Sequence, residues 1–428
     1  MIKIYKYGEV EASELFSRAD VKTGVEDVVA DIIAKVRAEG DTALLAYNAK
    51  FDHNTDPCLE VTEAEIEEAF SIVGEFRGVL ERAAANIRKF HEKQVRPSFV
   101  INDEEGIVMG QKVIPVDKAG LYVPGGTAAY PSTVLMDAVP AKIAGVKELV
   151  ITTPANAEGK VNPYVLAAAK VAGVDRIFKV GGAQAIAALA YGTETVPKVD
   201  KIVGPGNAFV AEAKKQVFGV VSIDMIAGPS EILCVADKNS NPIHVAADLL
   251  SQAEHDKMAT AVLVTDSMDL ANAVAAEIER QLQTLPREEI ARCSIDNNGK
   301  IIVAEDLHVA IEIANEIAPE HLELCMDNPF DYLSEVRHAG SIFMGRNCPE
   351  ALGDYFSGAN HTLPTSGTAK FSSPLSVDDF VKKTQFTYYT KSALEEVYQD
   401  IADFADHEGL HGHARSVLSR FCPDVNEK

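Results

Sequence analysis

The 428-residue sequence predicts an α/β protein with two parallel-sheet units, and three observations carry that prediction. Short runs rich in Val and Ile, namely Leu149–Thr152, Arg176–Val180 and Lys201–Val203, have the length and composition of buried strands. Ala-rich stretches of helical character, Pro163–Ala172 and Ala183–Ala190, separate them, and strand followed by helix, repeated, is the pattern of parallel strands joined by crossover helices. The alternation then resumes with Ile232–Val235, Thr260–Thr265, Gly299–Val303 and Gly340–Met344 as strands and Met268–Leu285 and Leu307–Ile317 as helices.

The remaining segments follow in chain order. Residues 1–21 read as a small N-terminal arm. Val25–Glu39 is a helix on the spacing of Val28, Ile32, Ile33 and Val36, stopped by Gly40-Asp41. Glu63–Val95 has few breakers and reads as helical until Arg96-Pro97, with Ile107–Val116 as a short extended piece. Asn360–Pro374, rich in Thr, Ser, Gly and Pro, is a long ordered or lid-like loop. From Val377 the pattern returns to helix, and Leu394–Arg420 holds one or two amphipathic helices, giving a helical C-terminal extension.

Composition limits the function. Hydrophobic residues at 47% and charged residues at 24% fit an ordinary soluble globular chain. Lys plus Arg number 40 against 64 Asp plus Glu, a net charge of −24, which disfavours nucleic acid and anionic membrane surfaces. The six cysteines form no C-x-x-C and no disulfide framework, so reduced thiols in a cytoplasm are expected. No signal-like block opens the chain, and no apolar run approaches a membrane span.

Several constellations could carry chemistry. In Asp248-Leu-Leu-Ser-Gln-Ala-Glu-His-Asp256, helical spacing puts Gln252 and His255 on one face, where an amide oxygen and an imidazole could converge on a cation. A plain helix end with a polar face has the same pattern. Three glycine-rich turns follow strands: Val123-Pro-Gly-Gly126, Val180-Gly-Gly-Ala-Gln184 and Val203-Gly-Pro-Gly-Asn207. Backbone N–H groups at such turns can approach a phosphate, although the full dinucleotide fingerprint is absent and turn chemistry explains any one of them. Ala318-Pro-Glu-His321 could pair a water-activating carboxylate, Glu320, with an imidazole base, His321, or be an exposed polar pair. Asp354 in a loop region is a further ligand or a turn cap, and His407-Glu-Gly-Leu-His-Gly-His413 is a metal-binding cluster or a solvated helix end. Cys234 and Cys325 lie in apolar stretches and read as buried, inert fillers.

Taken together, Ile223-Asp-Met-Ile-Ala-Gly-Pro-Ser-Glu231 and Ser251-Gln-Ala-Glu-His255 closely resemble the signature of the histidinol dehydrogenase family. Gly181-Gly-Ala-Gln184, Gly204-Pro-Gly-Asn207, Pro319-Glu-His-Leu322, Gly353-Asp354, Ser357-Gly-Ala-Asn-His361 and Glu408-x-x-x-x-His413 match it in order, so the resemblance spans Val25 to Arg420. It implies NAD-dependent oxidation of L-histidinol through histidinal to L-histidine, the last two steps of histidine biosynthesis, with one zinc per subunit and two NAD used in succession. It implies Gln252, His255, Asp354 and His413 as zinc ligands and Glu320 and His321 as the acid–base pair. Ser230, His361 and Glu408 would contact substrate beside the ligands and His321, while Tyr122, Gln184 and Asn207 would line the NAD crevice. The implied fold is two incomplete Rossmann-like domains: 22–121 with 236–375 carrying zinc and catalysis, and 122–235 binding NAD weakly and exchangeably. Residues 376–428 would complete the partner's site in a homodimer, so Glu408 and His413 would serve the other subunit. The alternatives are a related zinc and NAD dehydrogenase of another small alcohol, such as a sulfonated diol, and a non-catalytic zinc-binding scaffold.

Overall fold

The computed structural model describes residues 2–16, 18, 24–125 and 129–422. Part of the N-terminal arm and Gly126 of the first glycine-rich turn therefore lie outside the described residues. The chain opens with β1 (Lys3–Lys6) and α1 (Ala12–Leu15), followed by α2 (Glu26–Glu39), α3 (Asp41–Tyr47), α4 (Glu63–Ile72) and α5 (Phe76–His91). Strands β2 (Phe99–Ile101) and β3 (Ile107–Pro115) come next. The middle block is β4 (Lys118–Tyr122), α6 (Pro131–Ala144), β5 (Glu148–Thr153), α7 (Pro163–Ala172), β6 (Arg176–Lys179), α8 (Gly182–Tyr191), β7 (Lys201–Val203), α9 (Ala208–Val217) and β8 (Ser222–Ile223). Then β9 (Glu231–Ala236), α10 (Pro242–Ala253), β10 (Thr260–Thr265), α11 (Met268–Leu282), α12 (Glu288–Asn298) and β11 (Lys300–Val303) lead to α13 (Leu307–Ile317), β12 (His321–Cys325), β13 (Ser341–Met344) and α14 (Glu350–Tyr355). The tail holds β14 (Val381–Tyr389), α15 (Lys391–His407) and α16 (His411–Leu418).

Two parallel sheets organise the larger unit, which comprises the chain up to Val95 and Val116–Phe380. The five-stranded sheet runs β6-β5-β4-β7-β8 and the six-stranded sheet β1-β11-β10-β9-β12-β13. Renumbered from its own first strand, each has the order 3-2-1-4-5 of a doubly wound nucleotide fold lacking its last strand, with β1 added at one edge of the larger sheet. Apolar cores cover both faces of each sheet, as buried parallel strands require.

Several boundaries differ from the sequence expectation. The arm begins with β1, which pairs with β11 and so belongs to the six-stranded sheet. The helices of residues 26–91 pack on the five-stranded body, α2 against α8 and α9 and α4 and α5 against α7 and α6, rather than with the six-stranded one. Strand β9 heads the six-stranded sheet from Glu231, five residues before the expected join at Ala236. Glu63–Val95 is broken where Gly74 takes φ +53°, separating α4 from α5.

The smaller unit, Arg96–Pro115 with Val381 onward, is not wholly helical. Its antiparallel sheet runs β14-β3-β2, with Val381 opposite Pro115 and Tyr389 opposite Ile107. Val381–Tyr389 is rich in Thr, Phe and Tyr, which suit a strand, but it is mostly exposed and its partner lies far back in sequence. Helices α15 and α16 pack through Ala402, Ala405, Ala414 and Val417. No helix among the described residues is long and apolar enough to cross a membrane.

Candidate active site

Three elements of the six-stranded body bring the site together. Helix α10 starts with Asn241 capping Ile243 N–H and Pro242 in its first turn, and buries Val245, Leu249 and Ala253. It ends at Ala253, so His255 lies in the turn beyond it rather than on the helix. His255 N–H still donates to the Gln252 carbonyl at 3.1 Å, which keeps the two residues adjacent. His255 is exposed; Gln252 is buried, and neither atom of its amide completes a hydrogen bond of good geometry.

Strand β12 supplies the acid–base pair at its first residue and the one before. The left-handed Ala318 (φ +50°) ends α13, and Pro319 then turns the chain into Glu320 and His321. Both side chains are buried, not an exposed pair. Glu231 N–H donates to Glu320 Oε2 at 2.9 Å, and His321 Nδ1 lies 2.9 Å from the Glu231 carbonyl. Because a carbonyl only accepts, Nδ1 carries the proton, which leaves Nε2 with a free lone pair. That Nε2 is buried without a hydrogen bond. Burial pushes His321 below its ordinary value, so the ring is a neutral base. Glu320 is pushed well above the carboxylate range by burial, with the charges of Glu231, Asp354 and Glu350 adding to the shift.

The third element is α14. Asp354 Oδ1 is 3.8 Å from His321 Nε2 and 3.7 Å from His361 Nδ1. One helical turn earlier, Glu350 Oε1 lies 4.0 Å from His321 Nε2. Burial, then the Glu350 charge, raise Asp354 to about 9. Burial opposes the Glu350 charge too, but its attraction for a proton on His321, with hydrogen bonds from Asp354, Gln252 and Ser251, outweighs it and holds that carboxylate low. The two acids thus share a proton, with the charge on Glu350. His321, Glu350 and Asp354 each place a donor atom within 4.8 Å of the others, as ligands of a metal ion would. The sequence analysis missed Glu350; the signal available was an acid four residues before Asp354 on one helical face.

The segment after α14 is ordered and partly buried. Asn360 Nδ2 donates to the Met136 carbonyl at 2.7 Å, and Thr362 Oγ1 to Asp137 Oδ1 at 2.9 Å, both on α6. Thr133 Oγ1, on the same helix face, lies 3.4 Å from His361 Nε2. Burial and then the His321 ring push His361 down to about 4, so this imidazole is neutral. Ser230 is half-buried immediately before β9. Beneath the site, Glu323 Oε1 accepts Glu350 N–H at 2.7 Å, and Cys234 and Cys325 are buried fillers against its other oxygen.

In the five-stranded body the strand order switches direction between β4 and β7, the place where doubly wound folds bind ligands at the carboxyl ends of their strands. Tyr122 ends β4 and its hydroxyl accepts Gly182 N–H at 3.1 Å. Gln184 is buried in the first turn of α8. Asn207 is exposed before α9, where its Oδ1 accepts from Phe209 and Val210 N–H, so its amide nitrogen is left for a ligand. Gly204 has φ +116°, and a Cβ there would lie 2.2 Å from the Tyr122 carbonyl; the close approach of these strand ends requires glycine. Glu408 and His413 lie in the smaller unit, exposed, at the α15–α16 corner.

A parallel sheet with a doubly wound switch point, in one unit with a buried carboxylate and a neutral imidazole base, has the make-up of an α/β oxidoreductase of the dehydrogenase kind. The histidinol dehydrogenase family model matches residues 16–421, and the chain belongs to that family. It is 53% identical over 427 residues to histidinol dehydrogenase of Clostridium acetobutylicum, covering 98% of this chain and 99% of the relative. It is 55% identical over 397 residues to that of Streptococcus mutans, covering 92% of each. The crystal structure of histidinol dehydrogenase from Elizabethkingia anophelis superposes with a TM-score of 0.94 at 38% identity, covering 100% of this chain and 99% of that one.

Proposed function

We propose that this chain oxidises L-histidinol to L-histidine through the aldehyde, passing one hydride in each step to NAD. The observation that carries the reading is the buried, unpartnered Nε2 of His321 beside Glu320, Asp354 and His361. Its lone pair suits removal of the alcohol proton as hydride leaves the same carbon for the nicotinamide. Glu320 stands on the other side of the Glu231 peptide, and its raised value makes its ionised form a strong enough base to take a proton from the water that adds to the aldehyde; the second hydride then departs from the hydrate. His361, kept neutral, can hydrogen-bond an imidazole or amine without repelling a cation. Tyr122, Gln184 and Asn207 are the NAD-lining residues.

The residues present fit a divalent ion. Gln252 has a buried amide whose two polar atoms complete no hydrogen bond of good geometry, and Asp354 carries a carboxylate that burial and Glu350 keep from ionising alone. An amide oxygen, a carboxylate and imidazoles form a borderline donor set that zinc accepts. Gln252, His255 and Asp354 would hold it, with His413 of a second subunit as the fourth ligand. When bound, the ion supplies positive charge against the crowded acids and an anchor for the amine and imidazole nitrogens of the substrate.

Assembly as a dimer with shared sites completes the proposal. In the smaller unit Phe404 is 70% exposed, and Phe99, Val100, Ile101 and Tyr388 are also exposed, an apolar surface suited to burial against a second copy. Histidinol-dependent NADH formation, abolished by a chelator, tests the activity, and His321→Asn should slow it about 10²–10⁴-fold. Absence of NADH from the parent protein removes the proposal, and a sulfonated diol turned over in its place would support the other alcohol. Refolding a mixture of His321→Asn and His413→Ala chains tests the dimer: activity returns if the tail serves the other subunit and stays absent if it serves its own.

A further inference from the structure

The geometry points to Arg18, in the N-terminal arm, as the positioning residue that clamps the acid–base pair by tying together the starts of β9 and β12. This rests on the roles proposed above for Glu320 and His321. Arg18 Nε donates to Glu231 Oε1 at 2.9 Å and Nη2 to Oε2 at 3.3 Å, a two-pronged grip on a carboxylate that is only 6% exposed. The same Nη2 reaches the carbonyls of Ile317 and Ala318, the latter at 3.3 Å. Those carbonyls end α13, where a cation is favoured by the helix dipole. One guanidinium therefore holds both the first residue of β9 and the turn that delivers β12.

Glu231 is the hinge of the arrangement. Its N–H fixes Glu320 and its carbonyl fixes the proton-bearing nitrogen of His321, so the position of one peptide unit sets both side chains. The Glu231 side chain has no part in that contact; Arg18 holds it. Across the clamp, the left-handed Ala318 is a conformation that a residue with a Cβ adopts at a cost, and Arg18 bonds the carbonyl of that very residue. Without the guanidinium, Glu231 is a buried acid with no cationic partner, and the two strand starts lose their common tether. A small displacement of general acid and base costs rate steeply, while the groups on α10 and α14 proposed to hold the metal lie outside the clamp.

The test is steady-state kinetics of the metal-loaded, full-length protein with Arg18→Ala, run beside the parent and His321→Asn. The expected result is a fall in kcat of about tenfold or more with the KM for histidinol within about twofold. Arg18→Lys, which keeps the charge but not the fork, should fall between. Ethylguanidinium at non-denaturing concentration should restore part of the lost kcat of Arg18→Ala, and ethylammonium should not, because Arg18 is partly open to solvent and the site needs a planar fork. An unchanged kcat for Arg18→Ala overturns the clamp. So does a fall that ethylguanidinium fails to reverse, which a general loss of stability would produce. If the parent makes no NADH, or His321→Asn matches it, the functional reading itself fails, and that outcome is distinct from failure of the clamp.

Discussion

The two parallel sheets share one strand order, and the proposed function assigns opposite ends of it. In the five-stranded sheet Tyr122, Gly204 and Asn207, proposed to face NAD or to let its strands approach, gather at the carboxyl ends of β4 and β7. In the six-stranded sheet the equivalent gap, between β9 and β12, is filled: Arg346 Nη2 bonds both oxygens of Asp237 at 2.6 Å, and its Nη1 pairs with Asp327. Asp237 also accepts Asp327 N–H at 3.1 Å and Asn239 N–H at 3.0 Å, so no polar group of that carboxylate is left for a ligand. The residues proposed for chemistry, Glu320 and His321, stand at the amino ends of the same strands. Topology thus provides two switch points of the same kind, and local side chains fill one of them. An α/β unit with a closed crevice is free to present its opposite end as a reaction surface.

Four variants would break or sharpen that contrast. The largest effect belongs to His255→Ala at the amino-end site, which should lose zinc by elemental analysis and nearly all turnover while circular dichroism stays native; His255 is exposed beyond the end of α10 and supports no core. Metal retained by that variant would remove His255 from the ligand set. On the carboxyl-end side, Asn207→Ser keeps an oxygen to cap α9 and loses the free amide, so the KM for NAD should rise severalfold with kcat and metal content unchanged. Arg346→Ala opens the closed crevice: it should cost about 1–3 kcal/mol in denaturant unfolding, by leaving Asp237 unpaired, and leave kcat intact. A kcat lowered by this change would mean that the plug also communicates with the chemistry.

The smallest effect concerns pH. Asp137, on α6, is pushed from 3.8 to about 8 by burial and then by the Asp224 charge, so the folded protein holds a proton that the unfolded chain has released over that interval. The contribution is complete below the unfolded value and disappears as pH rises through the folded one. Stability should therefore decline between about pH 4 and 8, and Asp137→Asn should flatten part of that slope in thermal melts of the metal-free protein. An unaltered slope would show that Asp137 ionises normally and that Thr362 is held by other means.

Much of this was readable in the sequence because it is local. Strand–helix alternation located Pro163–Ala172, Thr260–Thr265 and Leu307–Ile317 at their observed bounds, and of the residues the motifs singled out, Glu320, His321 and Asp354 lie near one another in the fold. What escaped depends on distant partners. Strand β14 needs β3 before its alternation has meaning, and β1 needs β11. Glu350 stands out only once α14 places it beside His321, and Arg18 only once its fork meets Glu231. Which end of a sheet performs the chemistry is likewise invisible from strand sequences, since it depends on whether residues such as Asp237 and Arg346 meet.

The pairing of Lys3 with Lys300 has a consequence for how the molecule is made. A ribosome releases the start of the larger sheet first and its neighbouring strand only after most of the polypeptide has been synthesised, whereas the middle sheet is drawn from the single uninterrupted stretch between Lys118 and Ile223. The nascent chain therefore carries a finished nucleotide module while its first strand still waits, edge unpaired, and contacts this remote in sequence are slow to close. Recovery after denaturation should follow the same timetable, with the crevice for NAD restored ahead of the amino-end site.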